Sequence, residues 1–365
     1  MKEIPQDIKD YAHYYRSLFF KDMEKNVLAF ESNLLRNGIS VSWAKDVNSL
    51  NDHIAQQLPN KPYKKVCLDL GDNTAKDIHK ADFNECSISS LVNREYNVDA
   101  LIIESDFAIA NEGVLVFVDR ATQSCFNYVD NIVVIVNIDQ ILLNMQDLPV
   151  FLYIKSPENA DFPSDIKFIK SNINQVIPDP IISSESKGYN TIKSNVSVIL
   201  YDKNIEYLLA DDLLMNSIFC INCGKCREVC PVAKTTNISP IDIVKNNCLD
   251  EYNTTQNIFK QTTLCGLCQE VCPVNIPLTE MLEHEMNIVN MNFSNWKKKN
   301  IFNIFSKRQK LNKTTNFFLY RFWIKLLFGK NKNLYNYFLK NKATYFSIQE
   351  ESDSTDIDSS DNAIL

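Results

Sequence analysis

Eight of the eleven cysteines lie within 53 residues, from Cys220 to Cys272. Cys220-Ile-Asn-Cys223-Gly-Lys-Cys226-Arg-Glu-Val-Cys230-Pro231 has the spacing C-x2-C-x2-C-x3-C-P, at which thiolates wrap cubane iron–sulfur clusters. Three cysteines in a tight loop reach three irons of one cubane. The fourth lies past a turn, points elsewhere and ligates a second cluster. A second run, Thr262-Thr-Leu-Cys265-Gly-Leu-Cys268-Gln-Glu-Val-Cys272-Pro273, keeps the same register with Thr262 where the first has a cysteine. Crossed ligation then assigns Cys220, Cys223, Cys226 and Cys272 to cluster one, and Cys230, Cys265 and Cys268 to cluster two. Cluster two lacks a fourth thiolate. Cys248 supplies it, or the corner is water, hydroxide or another side chain, or the cluster is 3Fe–4S. Zinc is the rival reading, but zinc knots favour two C-x2-C pairs, often with histidine. Of four histidines only His284 is near. Cys67, Cys86 and Cys125 stand apart and read as small buried thiols.

Such clusters pass single electrons. Two clusters joined through crossed ligands lie close together, which favours a relay. A cubane with a non-cysteine corner has a second use, as a Lewis acid.

The elements before the cysteines read as an α/β layer. Apolar residues recur at helical spacing over residues 4–36, and Asn37-Gly38 ends that helix. Ile39–Trp43 alternates as a strand, and Asp46–Leu58 reads as a helix capped by Asp46 or Ser49. Strands are expected at Val66–Leu70, Leu101–Ile103, Phe107–Ile109, Val114–Val118, Ile132–Val136, Phe151–Ile154 and Val196–Leu200, with one or two helical turns over Ile138–Leu143. Residues 156–195 read as loops with short strands. Strands alternating with helices argue for an α/β domain. In Asp106-Phe-Ala-Ile-Ala-Asn-Glu-Gly113-Val-Leu-Val-Phe117 the pattern is strand, turn, strand. Gly113 supplies the turn. Glu112 beside it is the one catalytic candidate, weighed against a carboxylate held in a hairpin.

Of 365 residues only seven are glycine, and no G-x-G-x-x-G or G-x-x-x-x-G-K-[ST] can be written from them. That excludes the usual glycine-rich phosphate loops. The start, MKEIPQDIKDYAHYY, is charged and no 18-residue apolar run occurs, so neither an export signal nor a membrane span is expected. The cytoplasm is the expected compartment, where cysteines are thiols or metal ligands rather than disulfides.

The net charge of −7 is blocked along the chain. Residues 1–285 hold 25 Lys+Arg against 39 Asp+Glu, residues 286–349 hold 13 bases and no acid, and residues 350–365 hold six acids and no base. Residues 293–346 carry 15 of the 39 aromatics, with Phe317–Phe328 as their core. As a helix, 317–328 is too short and too charged to span a bilayer. It is expected to pack on its own ferredoxin-type domain or an acidic partner subunit, ahead of an anionic membrane surface. Nucleic acid is not expected, since residues 1–285 are acidic. Four regions follow: 1–205 α/β with a helical lead, 206–292 ferredoxin-type, 293–349 basic, aromatic and helical, and 350–365 a disordered acidic tail.

Over about residues 20–285 the chain resembles the lactate utilization protein B family, a LUD domain followed by a two-cluster ferredoxin domain. Asp106–Val116 is similar to that family's DFAIAETGTLVL signature, Gly38–Ala44 to its opening strand and Val198–Asp202 to the strand before its linker. Phe219–Val232 and Leu264–Ile276 are similar to its two cysteine motifs, the second of which also has three cysteines. The family's Gly-Pro-Ser segment is replaced by Lys155-Ser-Pro-Glu158, and its Gly-Gly-His by Ala233–Ile238. The resemblance implies an α/β LUD domain of the NagB/RpiA/CoA-transferase type, then a helical 4Fe–4S domain with two clusters on the cysteines named above. It implies an electron-transfer subunit in the oxidation of L-lactate to pyruvate. The implied partners are a cysteine-rich iron–sulfur subunit and a LUD-only subunit. The cytoplasmic location expected above allows peripheral contact with the inner membrane through 317–328. The alternatives are a LUD domain that itself binds substrate or cofactor as an enzyme, and a scaffold with structural clusters.

Overall fold

The computed structural model describes residues 3–61, 63–80, 83–95, 97–156, 162–170, 194–203, 205–247 and 262–288. Cys248, the basic segment 293–349 with its core 317–328, and the acidic tail 350–365 lie outside the described residues. Two compact units divide the chain. One is Met1–Tyr207 with Ile218–Cys223, and the other is Leu208–Ser217 with the described residues from Gly224 onward.

In the first unit, a six-stranded parallel sheet has the order β1-β10-β7-β4-β2-β3. Its strands are β1 (Ser40–Ala44), β2 (Lys65–Asp69), β3 (Asn84–Cys86), β4 (Ala100–Glu104), β7 (Asn131–Asn137) and β10 (Asn195–Tyr201). Side chains alternate across a strand, so each central strand serves two cores. Leu101, Ile103, Ile132, Val134, Val198 and Leu200 pack with Val27, Phe30 and Leu34 on one face. Ala100, Ile102, Val133, Ile135, Ile199 and Tyr201 pack with Leu50 and Ile54 on the other. Burial on both faces explains why Ile132–Val136 is an unbroken apolar run. A smaller sheet, β8-β5-β6-β9, holds β5 (Phe107–Ile109), β6 (Val114–Val118), β8 (Ile141–Leu142) and β9 (Ile166–Ile169).

The helices of this unit are α1 (Gln6–Lys21), α2 (Met23–Arg36), α3 (Val47–Gln57), α4 (Asp72–Asp77), α5 (Ile88–Val92), α6 (Leu148–Lys155) and α7 (Glu206–Leu209). The single helix expected over 4–36 is two. Asp22, at φ −121° and ψ 42°, separates them, and Asn26 Nδ2 donates to Phe19 O at 2.8 Å across the break. The apolar spacing continues through the break, so it carries no sign of it. α3 starts as expected on a reciprocal cap, in which Asp46 Oδ1 accepts from Ser49 N at 2.8 Å and Ser49 Oγ from Asp46 N at 3.0 Å.

Phe151–Ile154, read as a strand, lies inside α6. Four apolar residues in a row carry no period, and Pro149 in the first turn starts a helix. Over Ile138–Leu143 a 3₁₀ turn at Ile138–Gln140 leads into β8.

The second unit is helical, with α8 (Lys225–Val229), α9 (Ala233–Thr236), α10 (Pro240–Asn247), α11 (Leu267–Glu270) and α12 (Leu278–Ile288). Ser239 caps α10, its Oγ accepting from Asp242 N at 3.2 Å. α10 packs against α12, with Ile241, Val244, Met281 and Leu282 buried, and α8 packs against α11.

Candidate functional site

The two cysteine runs fold alike. Asn222 (φ 52°) and Gly224 (φ 76°) flank Cys223, and Leu264 (φ 48°) and Gly266 (φ 88°) flank Cys265. Each glycine then opens a short helix, α8 or α11, that carries the next cysteine, Cys226 or Cys268. A Cβ on Gly224 or Gly266 would meet nothing within 4 Å, so left-handed backbone alone calls for glycine at both. The apolar Leu264 accepts the same conformation without an amide side chain to favour it.

Cys230, Cys265 and Cys268 share the lining of one recess. Thr262, Thr263 and Thr279 join them, with an apolar wall that includes Val232, Ile243, Leu264 and Leu282. None of the ten described cysteines is in a disulfide. Among the described residues no three of His, Cys, Asp or Glu converge as ligands of a single ion would. A cubane asks for something else, since each thiolate binds its own iron and the sulfurs surround a volume.

Burial pushes the Cys230 thiol up to about 11, with Cys265 adding to it and the N–H groups of Ala233 and Val232 opposing. Burial pushes the Cys268 thiol well above its ordinary value, reinforced by Cys265, Cys230 and Cys226. Thiols crowded this way would gain by releasing their protons to solvent and binding a cationic iron core as thiolates. Backbone N–H groups also aim at sulfur. Asn222 N lies 3.4 Å from Cys220 Sγ, and Ile276 N lies 3.4 Å from Cys272 Sγ. Such bonds stabilise negative charge on sulfur and tune a cluster's potential. The thiols, the amide donors and the recess fit 4Fe–4S ligation. His284 is engaged elsewhere, its Nε2 3.0 Å from Asp211 Oδ2.

In the first unit, Gln140 Nε2 donates to Cys220 O at 3.2 Å, and the Arg16 guanidinium donates to Ile218 O at 3.0 Å. Both anchor the approach to the first cysteine. Neither contact has a local sequence signal, since the partners lie 80 and 202 residues apart. The isolated thiols sit in or beside the α/β core. Cys67 and Cys125 are buried and Cys86 is half-buried.

A second polar group occupies the carboxyl ends of the parallel strands. Arg120 bridges Asp69, at the end of β2 (Nη1–Oδ1 2.7 Å), to Asp106 (Nε–Oδ2 3.0 Å). Lys155 Nζ lies 3.1 Å from Asp106 Oδ1, and Thr122 Oγ1 donates to Asp69. Burial would raise the Asp106 carboxyl, but Lys155 and Arg120 outweigh it and hold it below the usual range. Glu104, ending β4, accepts from Gly71 N at 2.9 Å and from the Asn137 amide. Its carboxyl is raised by burial. Glu112 is not part of this group. It lies in the β5–β6 turn, where Oε1 accepts from Met145 N at 3.4 Å and Oε2 is buried without a hydrogen-bond partner.

An α/β domain with a parallel sheet, followed by a helical domain whose thiols ring a recess, is the plan of an iron–sulfur protein with an added α/β module. Residues 27–193 match the profile of the LUD domain, and residues 217–276 match that of the 4Fe-4S dicluster domain. The chain joins a LUD domain to a 4Fe-4S dicluster domain. Among solved structures, the crystal structure of a DUF162 family protein from Deinococcus radiodurans is similar at 16% identity and a TM-score of 0.33, covering 49% of this chain and 97% of that one. No curated protein is significantly similar.

Proposed function

We propose that this protein is the electron-transfer subunit of a complex that oxidises L-lactate to pyruvate. The loss of two electrons and two protons from the substrate occurs at a partner's site, and the electrons pass singly through this chain. A 4Fe–4S cluster, when bound, supplies one-electron exchange at a potential set by its surroundings. The chain's own part is to hold and tune. Cys220, Cys223, Cys226 and Cys272 would hold the first cluster, and Cys230, Cys265 and Cys268 the second. The amides of Asn222 and Ile276 donate to ligand sulfur, and Gly224 and Gly266 let the loops curl around the core.

The observation that carries the electron-transfer reading is the recess lined by Cys230, Cys265 and Cys268, inside the region that matches a dicluster domain. The lactate reading rests on the LUD domain in front of it and on the resemblance of Asp106–Val116 to a family signature. No helix among the described residues is long and apolar enough to cross a membrane.

The test is iron and sulfide analysis with EPR on anaerobically purified protein, followed by reduction by L-lactate in the presence of the two partner subunits. Reversible reduction, with about eight irons per chain, supports the relay. Clusters that stay oxidised with lactate but accept electrons from dithionite remove lactate and leave electron transfer standing. Clusters silent to both leave a structural scaffold.

A further inference from the structure

We propose that one iron of the second cluster carries no protein thiolate, and that Thr262 and Thr279 border a site at that corner for a small exchangeable ligand. Water or hydroxide would occupy it at rest, and a small anion such as cyanide would compete. The inference rests on the two-cluster reading above.

Two observations carry it independently. Thr262 stands three residues before Cys265, where Cys220 stands three residues before Cys223, and it lines the recess with Cys230, Cys265 and Cys268. The position that supplies a thiolate in the first run therefore presents a neutral hydroxyl here. A threonine hydroxyl keeps its proton and is a poor iron ligand. Among the described residues of the lining there is no histidine, aspartate or glutamate that could replace it. Its mouth admits solvent.

The second observation is Thr279. Thr279 lines the same recess, and its Oγ1 is shielded from solvent with no hydrogen-bond partner among the described residues. It sits in the first turn of α12, and its N–H donates to Gln269 Oε1 at 3.0 Å. Gln269 follows Cys268 on α11, so the contact ties the threonine to the helix that carries a ligand. A buried hydroxyl without a partner is destabilising. An oxygen or anion held at that corner would supply the missing acceptor. Leu264 and Leu282 wall the recess with apolar surface, which strengthens a polar contact made inside it.

The experiment uses the full chain, purified anaerobically, with iron analysis and EPR of the dithionite-reduced protein during a cyanide titration. Four forms are compared: wild type, Thr262→Cys, Cys248→Ser and Thr279→Val. The expected wild type holds about eight irons and one of its two signals shifts with cyanide. Thr262→Cys keeps its irons and loses the shift, because a thiolate closes the corner. Cys248→Ser keeps both clusters and the shift. Thr279→Val needs about three- to tenfold more cyanide, the value of one hydrogen bond.

An unshifted wild type with about eight irons overturns the proposal, as does a Cys248→Ser protein reduced to about four. A Thr262→Cys protein that still responds overturns the assignment of the corner, and an unchanged titration in Thr279→Val removes Thr279 from it. A wild type with only about four irons overturns the two-cluster reading itself, and this inference falls with it.

Discussion

The guanidinium of Arg16 lies 3.0 Å from the carbonyl oxygen of Ile218, two residues before Cys220. It also donates to Ile141 O at 2.8 Å and to Asp139 O, and it is 1% exposed. Burial lowers its pKa to about 10, against the opposing influence of Asp139 and Cys220. One side chain on α1 therefore satisfies carbonyls from two distant segments. Arg16→Met takes away the guanidinium donor from three carbonyls and is expected to cost about 2–4 kcal/mol. Arg16→Lys recovers only part of that, because an ammonium lacks the planar fork. Thermal denaturation of the three proteins checks the order, and equal midpoints would refute it.

Three glycines with positive φ separate strain from collision. At Gly113 (φ 62°) a Cβ would lie 2.8 Å from Asn33 Cβ and 2.9 Å from its carbonyl carbon. Gly113→Ala must therefore shift α2 as well as strain the turn, at about 2–4 kcal/mol. At Gly224 and Gly266 a Cβ meets nothing within 4 Å. Alanine there is expected to cost about 1 kcal/mol, from backbone strain alone. Urea unfolding checks the ranking, with Gly113→Ala the lowest midpoint.

Glu104 and Asp106 give opposite pH dependences. The Asp106 carboxyl is held below its ordinary 3.8 in the folded protein. Its contribution is present above that value and is lost as pH falls through the lowered one. The Glu104 carboxyl is raised above its ordinary 4.5. The folded state then binds the proton more tightly, so its contribution is full below 4.5 and declines as pH rises through the raised value. Glu104→Gln is expected to flatten that decline. Asp106→Asn leaves Arg120 and Lys155 short of a carboxylate, and is expected to lose about 2–4 kcal/mol at neutral pH. Denaturation midpoints from pH 3 to pH 8 check both signs.

Cys67 is fully buried, and its thiol is pushed up to about 12, by burial first and then by Asp69. Cys125 is 3% exposed and Cys86 is half-buried. Iodoacetamide at about pH 8 is expected to label Cys86 well before Cys67 or Cys125 in native protein, because reaction needs an accessible thiolate. Peptide mass spectrometry reads the order. Early labelling of Cys67 would show that β2 opens readily.

Where one residue and its chain neighbours decide the outcome, the structure follows the linear pattern. The Asp46–Ser49 cap is a contact between residues three apart. The turn at Gly113 calls for left-handed backbone, a local demand, while the close approach of Asn33 to the same glycine is a tertiary one. The long apolar strands announce a doubly covered sheet through composition alone. The pattern misled where two outcomes share it. Phe151–Ile154 is apolar enough for strand or helix, and the residues from Met145 onward that start a helix decide it. The break at Asp22 rests on Asn26 reaching back to Phe19, in a stretch with unbroken helical spacing.

The cysteine ladder was legible because loop ligation is a matter of covalent spacing, and Thr262 showed as the missing rung because it keeps the register. Thr279 carried no such sign. It matters because α12 packs beside α11 and brings a hydroxyl to a recess that Cys230 enters from 49 positions earlier. Arg120 between Asp69 and Asp106 is the same kind of fact. Asp69 and Arg120 are 51 residues apart and meet at the strand ends. Spacing, caps and burial periodicity act along the chain over a few residues, so the sequence by itself determined them. Which distant groups share a site depends on how sheet and helices close on one another, and that was settled only by the tertiary packing.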